Sequence, residues 1–169
     1  LIINGSQIVA QRGSDINNVA NGGFCTDRFK ISKANTDNLV LNLDQSTDTP
    51  TGFSNSLKLS VGTVESALAS DEYLQFGQRI EAQNLQHLNY GTSSAETLTL
   101  SFHVKSSITG TYAVSIYHYD GNDMINAQYT ISSANTWEYQ TMTFVGNTDS
   151  GAVIADDNTH GLKFNFILA

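Results

Sequence analysis

The side chains best suited to chemistry in this sequence are aromatic rings set beside turn amides and carboxylates. Tyr117 and Tyr119 stand two residues apart, the spacing that puts both on one face of a strand. Asp120-Gly121-Asn122-Asp123 follows at once. Rings so placed can cover the C–H face of a sugar while neighbouring amides and carboxylates take its hydroxyls. Trp137, the sole tryptophan, precedes a strand whose Tyr139 continues its face. Tyr117, Tyr119 and Trp137 are therefore the ligand-binding candidates. The competing reading is that these rings only pack against the core or across strands.

Covalent and acid–base chemistry finds less support. No GxSxG nucleophile motif occurs, and Gly22-Gly23 lacks the lysine and following helix of a phosphate-cradling loop. Of the four histidines, His87, His103, His118 and His160, none lies in an HExxH pattern or near a cysteine pair. His103 and His118 fall in strands expected to be adjacent, on their polar faces. Ordinary surface histidines explain them, although a cross-strand pair with a carboxylate would make a metal site. Glycoside hydrolysis needs two carboxylates facing one bond. Glu65, Glu72, Glu81, Glu96 and Glu138 are available, as they would be in any acidic sandwich. The expectation is no catalytic residue and a chain that is not an enzyme.

Metal and sulfur chemistry are similarly thin. Asp120 to Asp123 and Asp156-Asp157-Asn158 gather oxygen ligands of the kind calcium takes. Turns collect Asp and Asn for backbone reasons alone. A structural calcium is thus the one cofactor considered, and no metal ligand is assigned. Cys25 is the only cysteine, so it forms no intrachain disulfide and no cysteine zinc site. It reads as a semi-buried thiol packing like a small apolar residue. Asn4-Gly5-Ser6 matches the glycosylation acceptor pattern, which has meaning only in a secretory host.

Period-two alternation dictates what must position these residues. Leu98, Leu100, Phe102 and Val104 share one face, as do Leu162, Phe164, Phe166 and Leu168. Leu39, Leu41 and Leu43, and then Leu57, Leu59 and Val61, repeat the pattern. Further strands are expected over 27–32, 73–80, 111–119, 125–131 and 137–144, with turns at 108–110, 120–123 and 146–151. The Asp120-Gly121 pair between two strand-like runs predicts a hairpin. Only 82–89 looks helical, for a turn or two. Residues 11–26, poor in large apolar side chains, are expected to form a long surface loop. About nine or ten short strands so spaced predict an all-β, antiparallel two-sheet β-sandwich, in the form of a jelly roll. Residues 1–169 are expected to be a single domain.

Composition bounds the partners. The net charge is −8 and only 14% of residues are charged, against a nucleic-acid or anionic-membrane partner, both of which need clustered cations. The eight basic residues are scattered from Arg12 to Lys163. No apolar run approaches the ~18 residues of a membrane span. The chain opens at Leu1 without Met and closes on a strand-like segment, so continuation on at least one side is expected.

Two stretches resemble a known group. Leu1-Ile2-Ile3-Asn4-Gly5-Ser6-Gln7-Ile8-Val9-Ala10-Gln11-Arg12-Gly13, followed by Thr26-Asp27-Arg28-Phe29, is similar to a recurrent opening of phage virion proteins, especially of marine phages. The body resembles the same domain at 98–105, at Gly110-Thr111-Tyr112, along 129–139 through Trp137, and at Leu162-Lys163-Phe164-Asn165-Phe166. The resemblance implies a non-enzymatic jelly-roll domain of carbohydrate-binding-module type on a tail fibre, tail tip or capsid appendage, at the virion exterior. It implies other virion proteins as partners, host-surface glycan as a ligand, and a homo-oligomer that is a trimer in a fibre. The alternative is a carbohydrate-binding module of a secreted glycan-degrading enzyme. No sugar-binding or metal-binding residue is carried over from the resemblance.

Overall fold

The structure, a computed structural model, describes residues 1–168 apart from Cys25, 35–37, 65–66 and Leu68. The thiol and the Glu65 carboxylate considered above therefore lie outside the described residues. The chain divides into two compact units, Ile2–Gln78 with Ile167–Ala169, and Arg79–Phe166 with Leu1.

In the first unit, β1 (Asp15–Ile16), β3 (Val40–Ser46) and β4 (Ser56–Thr63) form an antiparallel sheet in the order β1-β3-β4. β2 (Lys30–Ala34) pairs antiparallel with the start of β5 (Tyr73–Glu81), from Lys30 opposite Gly77 to Ala34 opposite Tyr73. Alternation sends Leu41 and Leu43 of β3 inward, with Leu57 and Leu59 of β4, onto Phe29, Ile31, Leu74 and Phe76. Two sheets thus enclose one apolar layer, as alternating side chains require.

The loop over 11–26 lies mostly exposed, as expected, but it is anchored to the sheet. Asp15 and Ile16 pair with Asp44 and Leu43, the Val19 amide donates to the Leu41 carbonyl at 2.8 Å, and Val19 is 3% exposed. One well-placed valine and two ladder rungs fasten a segment that composition alone marks as free. The strand expected from Asp27 begins instead at Lys30, because Thr26–Phe29 closes a turn with Arg28 at φ 76°.

In the second unit, β6 (Leu98–Val104) pairs with β9 (Glu138–Phe144) along seven residues. β7 (Gly110–His118) lies between β8 (Asp123–Ile131) and β10 (His160–Ile167). The Phe102 ring joins the two layers. It meets Tyr129 at 5.1 Å and Phe166 at 4.9 Å, both edge-to-face, an arrangement worth ~1 kcal/mol per pair beyond the area buried. The helical segment is a 3-10 helix, Ala82–Leu88, whose buried residues Ala82, Leu85 and Leu88 recur every third position, the period of that helix. It stops at Asn89, which takes the left-handed conformation at φ 52°.

The architecture is all-β, with antiparallel sheets packed as a sandwich. The jelly-roll refinement stays an expectation from the sequence.

Candidate functional site

The β7–β8 hairpin sets the candidate residues. Nine rungs run from Gly110 opposite Ile131 to His118 opposite Asp123. The loop Tyr119–Asn122 closes them, its Asn122 amide donating to the Tyr119 carbonyl at 3.3 Å with Asn122 at φ 48°. Asn accepts this left-handed position at little cost. The turn predicted from Asp120-Gly121 is therefore present.

Tyr117 and Tyr119 emerge on one face, half-buried, with ring centroids 4.9 Å apart. Their planes meet at 88°, so they make a corner of one ring face and one ring edge, not a flat floor. The Tyr117 hydroxyl donates to Asn122 Oδ1 at 2.6 Å, fixing the first ring. Tyr119 is flanked by His160, at 5.2 Å between centroids, and by the Arg79 guanidinium 5.8 Å from its ring. Arg79 Nη1 lies 3.3 Å from His160 Nε2. The result is a strip across three strand ends: Arg79 on β5, His160 on β10, then Tyr119, Tyr117 and Asn122. Arg79 and His160 carried no sequence signal, because a ladder between distant strands brings them in.

Trp137 does not join this strip. It follows Ile131, which is opposite Gly110, at the far end of the hairpin from Tyr117; Thr111 to Tyr117 alone spans about 20 Å of strand. There Trp137 is half-buried with Lys105 Nζ 5.9 Å from its ring. Tyr139, 60% exposed, meets the His103 ring at 5.2 Å in a tilted contact across the β6–β9 pair. Trp137 thus belongs to a second aromatic surface.

The histidine expectation is corrected. His103 and His118 are not cross-strand neighbours: His103 is opposite Tyr139, and His118 is opposite Asp123. His118 is no surface residue either, being 2% exposed. Its Nδ1 lies 3.3 Å from Asp123 Oδ1, and the Tyr90 ring meets it edge-on at 5.9 Å. Asn147 Nδ2 donates to Asp123 Oδ2. Burial, and secondly the Asp123 charge, push the Tyr90 phenol above its usual range. Ser115, two residues before Tyr117 on the same strand face, is also buried, at 2% exposed.

The described carboxylates considered for hydrolysis serve backbone amides, a glutamine side chain or solvent. Glu138 Oε1 accepts the Ser132 and Ser133 amides at 2.9 and 2.7 Å, Glu72 accepts the Ala69 amide at 2.6 Å, and Glu81 accepts Gln83 Nε2 at 3.2 Å. Glu96 is exposed. The two acidic turns are neighbours, since Asp120 Oδ2 accepts the Ala155 amide at 3.0 Å. Asp157 Oδ1 accepts both the hydroxyl and the amide of Thr159, which hold its carboxyl below the usual range. Among the described residues, no three His, Cys, Asp or Glu side chains converge as a metal site would require.

No protein-family model matches the chain, and no curated protein matches it in sequence. Its fold is shared with a solved structure of tailspike protein 4 of bacteriophage CBA120, described as that protein's enzymatically active domain. The TM-score is 0.50 at 19% identity, covering 91% of this chain and 19% of the other. The chain thus spans about a fifth of the tailspike structure, and the likeness is one of fold. The expectation of a non-enzymatic chain is corrected by this neighbour, because the same fold occurs within a domain described as enzymatically active.

Proposed function

We propose that the chain is a β-sandwich module of a phage tail protein, exposed on the virion, that holds host-surface glycan for an enzymatically active tailspike. The observation that carries this reading is the Tyr117–Tyr119 corner with Arg79, His160 and Asn122 around it. A pyranose ring stacks its C–H face on one tyrosine and abuts the edge of the other. Arg79 and His160 offer hydrogen bonds to hydroxyls at the rim. The shared fold with a tailspike domain supports the setting. Trp137 with Tyr139 forms an auxiliary contact for a longer saccharide, and neighbouring virion proteins supply the assembly, trimeric in a fibre.

The test is a glycan array of host polysaccharides with the wild type and a Tyr117→Ala/Tyr119→Ala variant. The variant is expected to lose binding while its melting temperature stays within a few degrees. Retained binding would overturn the assignment of the corner. A collapse in melting temperature would assign the rings to packing instead.

A further inference from the structure

We propose that the first unit carries an anion site, built from Arg12, Arg28 and Phe24, that takes the carboxylate of an acidic sugar. This goes beyond the tyrosine corner and uses none of its residues.

The site is a cleft of about 420 Å³ lined by Ile3, Asn4, Arg12, Phe24, Asp27 and Arg28 among others. Its size falls near the low end of small-molecule pockets, ~300–1,000 Å³, enough for one or two sugar rings. Arg12 lies with its guanidinium carbon 4.2 Å from the Phe24 ring centroid. This contact orients the planar fork and leaves its N–H edge free to donate. Lys30 Nζ stands 5.8 Å from the same ring. Three of the chain's eight basic residues thus gather around one cleft in a protein of net charge −8. Among the described residues, no carboxylate pairs with Arg12, Arg28 or Lys30 in a salt bridge.

Asp27 is the one acidic side chain in the lining, and its Oδ2 already accepts the Gln11 amide at 2.9 Å. With Arg12 and Arg28 against that single carboxylate, the balance in the lining stays positive. The frame is preformed. Asn4 Nδ2 donates to the Val9 and Asp27 carbonyls at 2.9 and 3.1 Å, and the Asp27 amide donates to the Val9 carbonyl at 3.0 Å. These bonds strap 4–11 onto the turn 26–29 that presents Arg28. A pre-ordered frame lowers the entropy cost of binding. Guanidinium forks match a carboxylate in two parallel hydrogen bonds, and the apolar Ile3 and Val9 walls suit the ring that bears it. A uronate has both parts.

The experiment is calorimetric titration of the full chain with trigalacturonate, its methyl ester, and inorganic phosphate. Trigalacturonate is expected to bind, with the ester at least 10-fold weaker and phosphate weaker still. Arg12→Gln and Arg28→Gln, both at exposed positions, should each lower the uronate affinity about 10-fold or more without moving the melting temperature. Absence of binding, equal binding of the ester, phosphate binding as tight as the uronate, or unchanged affinity in both arginine variants would each overturn the proposal. Uronate binding that survives Tyr117→Ala/Tyr119→Ala is the expected result. Its loss there would assign the uronate to the tyrosine corner and overturn the arginine cleft.

Discussion

His118 Nδ1 and Asp123 Oδ1 stand 3.3 Å apart at the last rung of the β7–β8 ladder, one residue buried and the other 42% exposed at its side chain. Among the described residues the carboxylate stands within ion-pair range of the imidazole, and neither Nδ1 nor Nε2 has a hydrogen-bond partner. Asp123 also accepts from Asn147. It thus accepts one hydrogen bond and stands in electrostatic contact with a buried imidazole.

Asp123→Ala should cost about 1–3 kcal/mol, the penalty of removing the acceptor of Asn147 Nδ2 and the charge beside a buried imidazole. Urea denaturation of the variant against wild type measures it. An unchanged midpoint would mean that water replaces the carboxylate at no cost.

Gly121 lies over the same imidazole. A Cβ there would sit 2.5 Å from His118 Nδ1 and 2.8 Å from Cε1, so a methyl group must displace the ring or open the turn. Gly121→Ala is expected to destabilise by about 1–3 kcal/mol. In a double-mutant cycle, His118→Ala should relieve much of that loss, with a coupling of at least 0.5 kcal/mol. Additive losses would place the strain in the backbone.

Tyr129 is expected to contribute to the alkaline limb of stability. Burial first, and then its neighbour Tyr112, push its phenol up to about 12 from a usual 10.0. The folded state thus favours the protonated form. Its contribution is complete below pH 10 and is lost as pH rises from 10 through about 12. Denaturant midpoints measured from pH 9 to 12 should fall across that window, and Tyr129→Phe should flatten part of the fall. A variant with the same slope as wild type would assign the effect elsewhere, Tyr90 being the other phenol raised by burial.

Alternation made the strands legible, because a strand with one wet face writes its burial into every second residue. Leu98, Leu100 and Phe102, and Leu41 and Leu43, point inward as that pattern requires. The hairpin at Asp120-Gly121 was equally plain from turn chemistry. The pattern fails where both faces are covered: Ser115 and His118 are polar by type, and each is 2% exposed. It also fails where a few contacts fasten a polar stretch, as Val19 does within 11–26.

The tyrosine pair was visible because its spacing is local. Its partners Arg79 and His160 were not, since 81 residues separate them in the chain. The same holds for Arg12 relative to Arg28 and Lys30. Arg28 and Lys30 lie two residues apart, and the strap from Asn4 to Asp27 is what brings the distant Arg12 to them. A charge cluster of that kind is a property of the fold and leaves no mark on a linear count.

The β7–β8 hairpin has a consequence for the order in which the chain assembles. Its rungs join residues separated by only 5 positions at His118–Asp123 and 21 at Gly110–Ile131. Each rung that forms shortens the loop for the next, so the entropy of closure is met in small steps, and hairpins of this sort form in ~1–10 μs. The strand bearing Tyr117 can therefore take shape early, while β10, with its partners far back in sequence, must wait for slower long-range encounters.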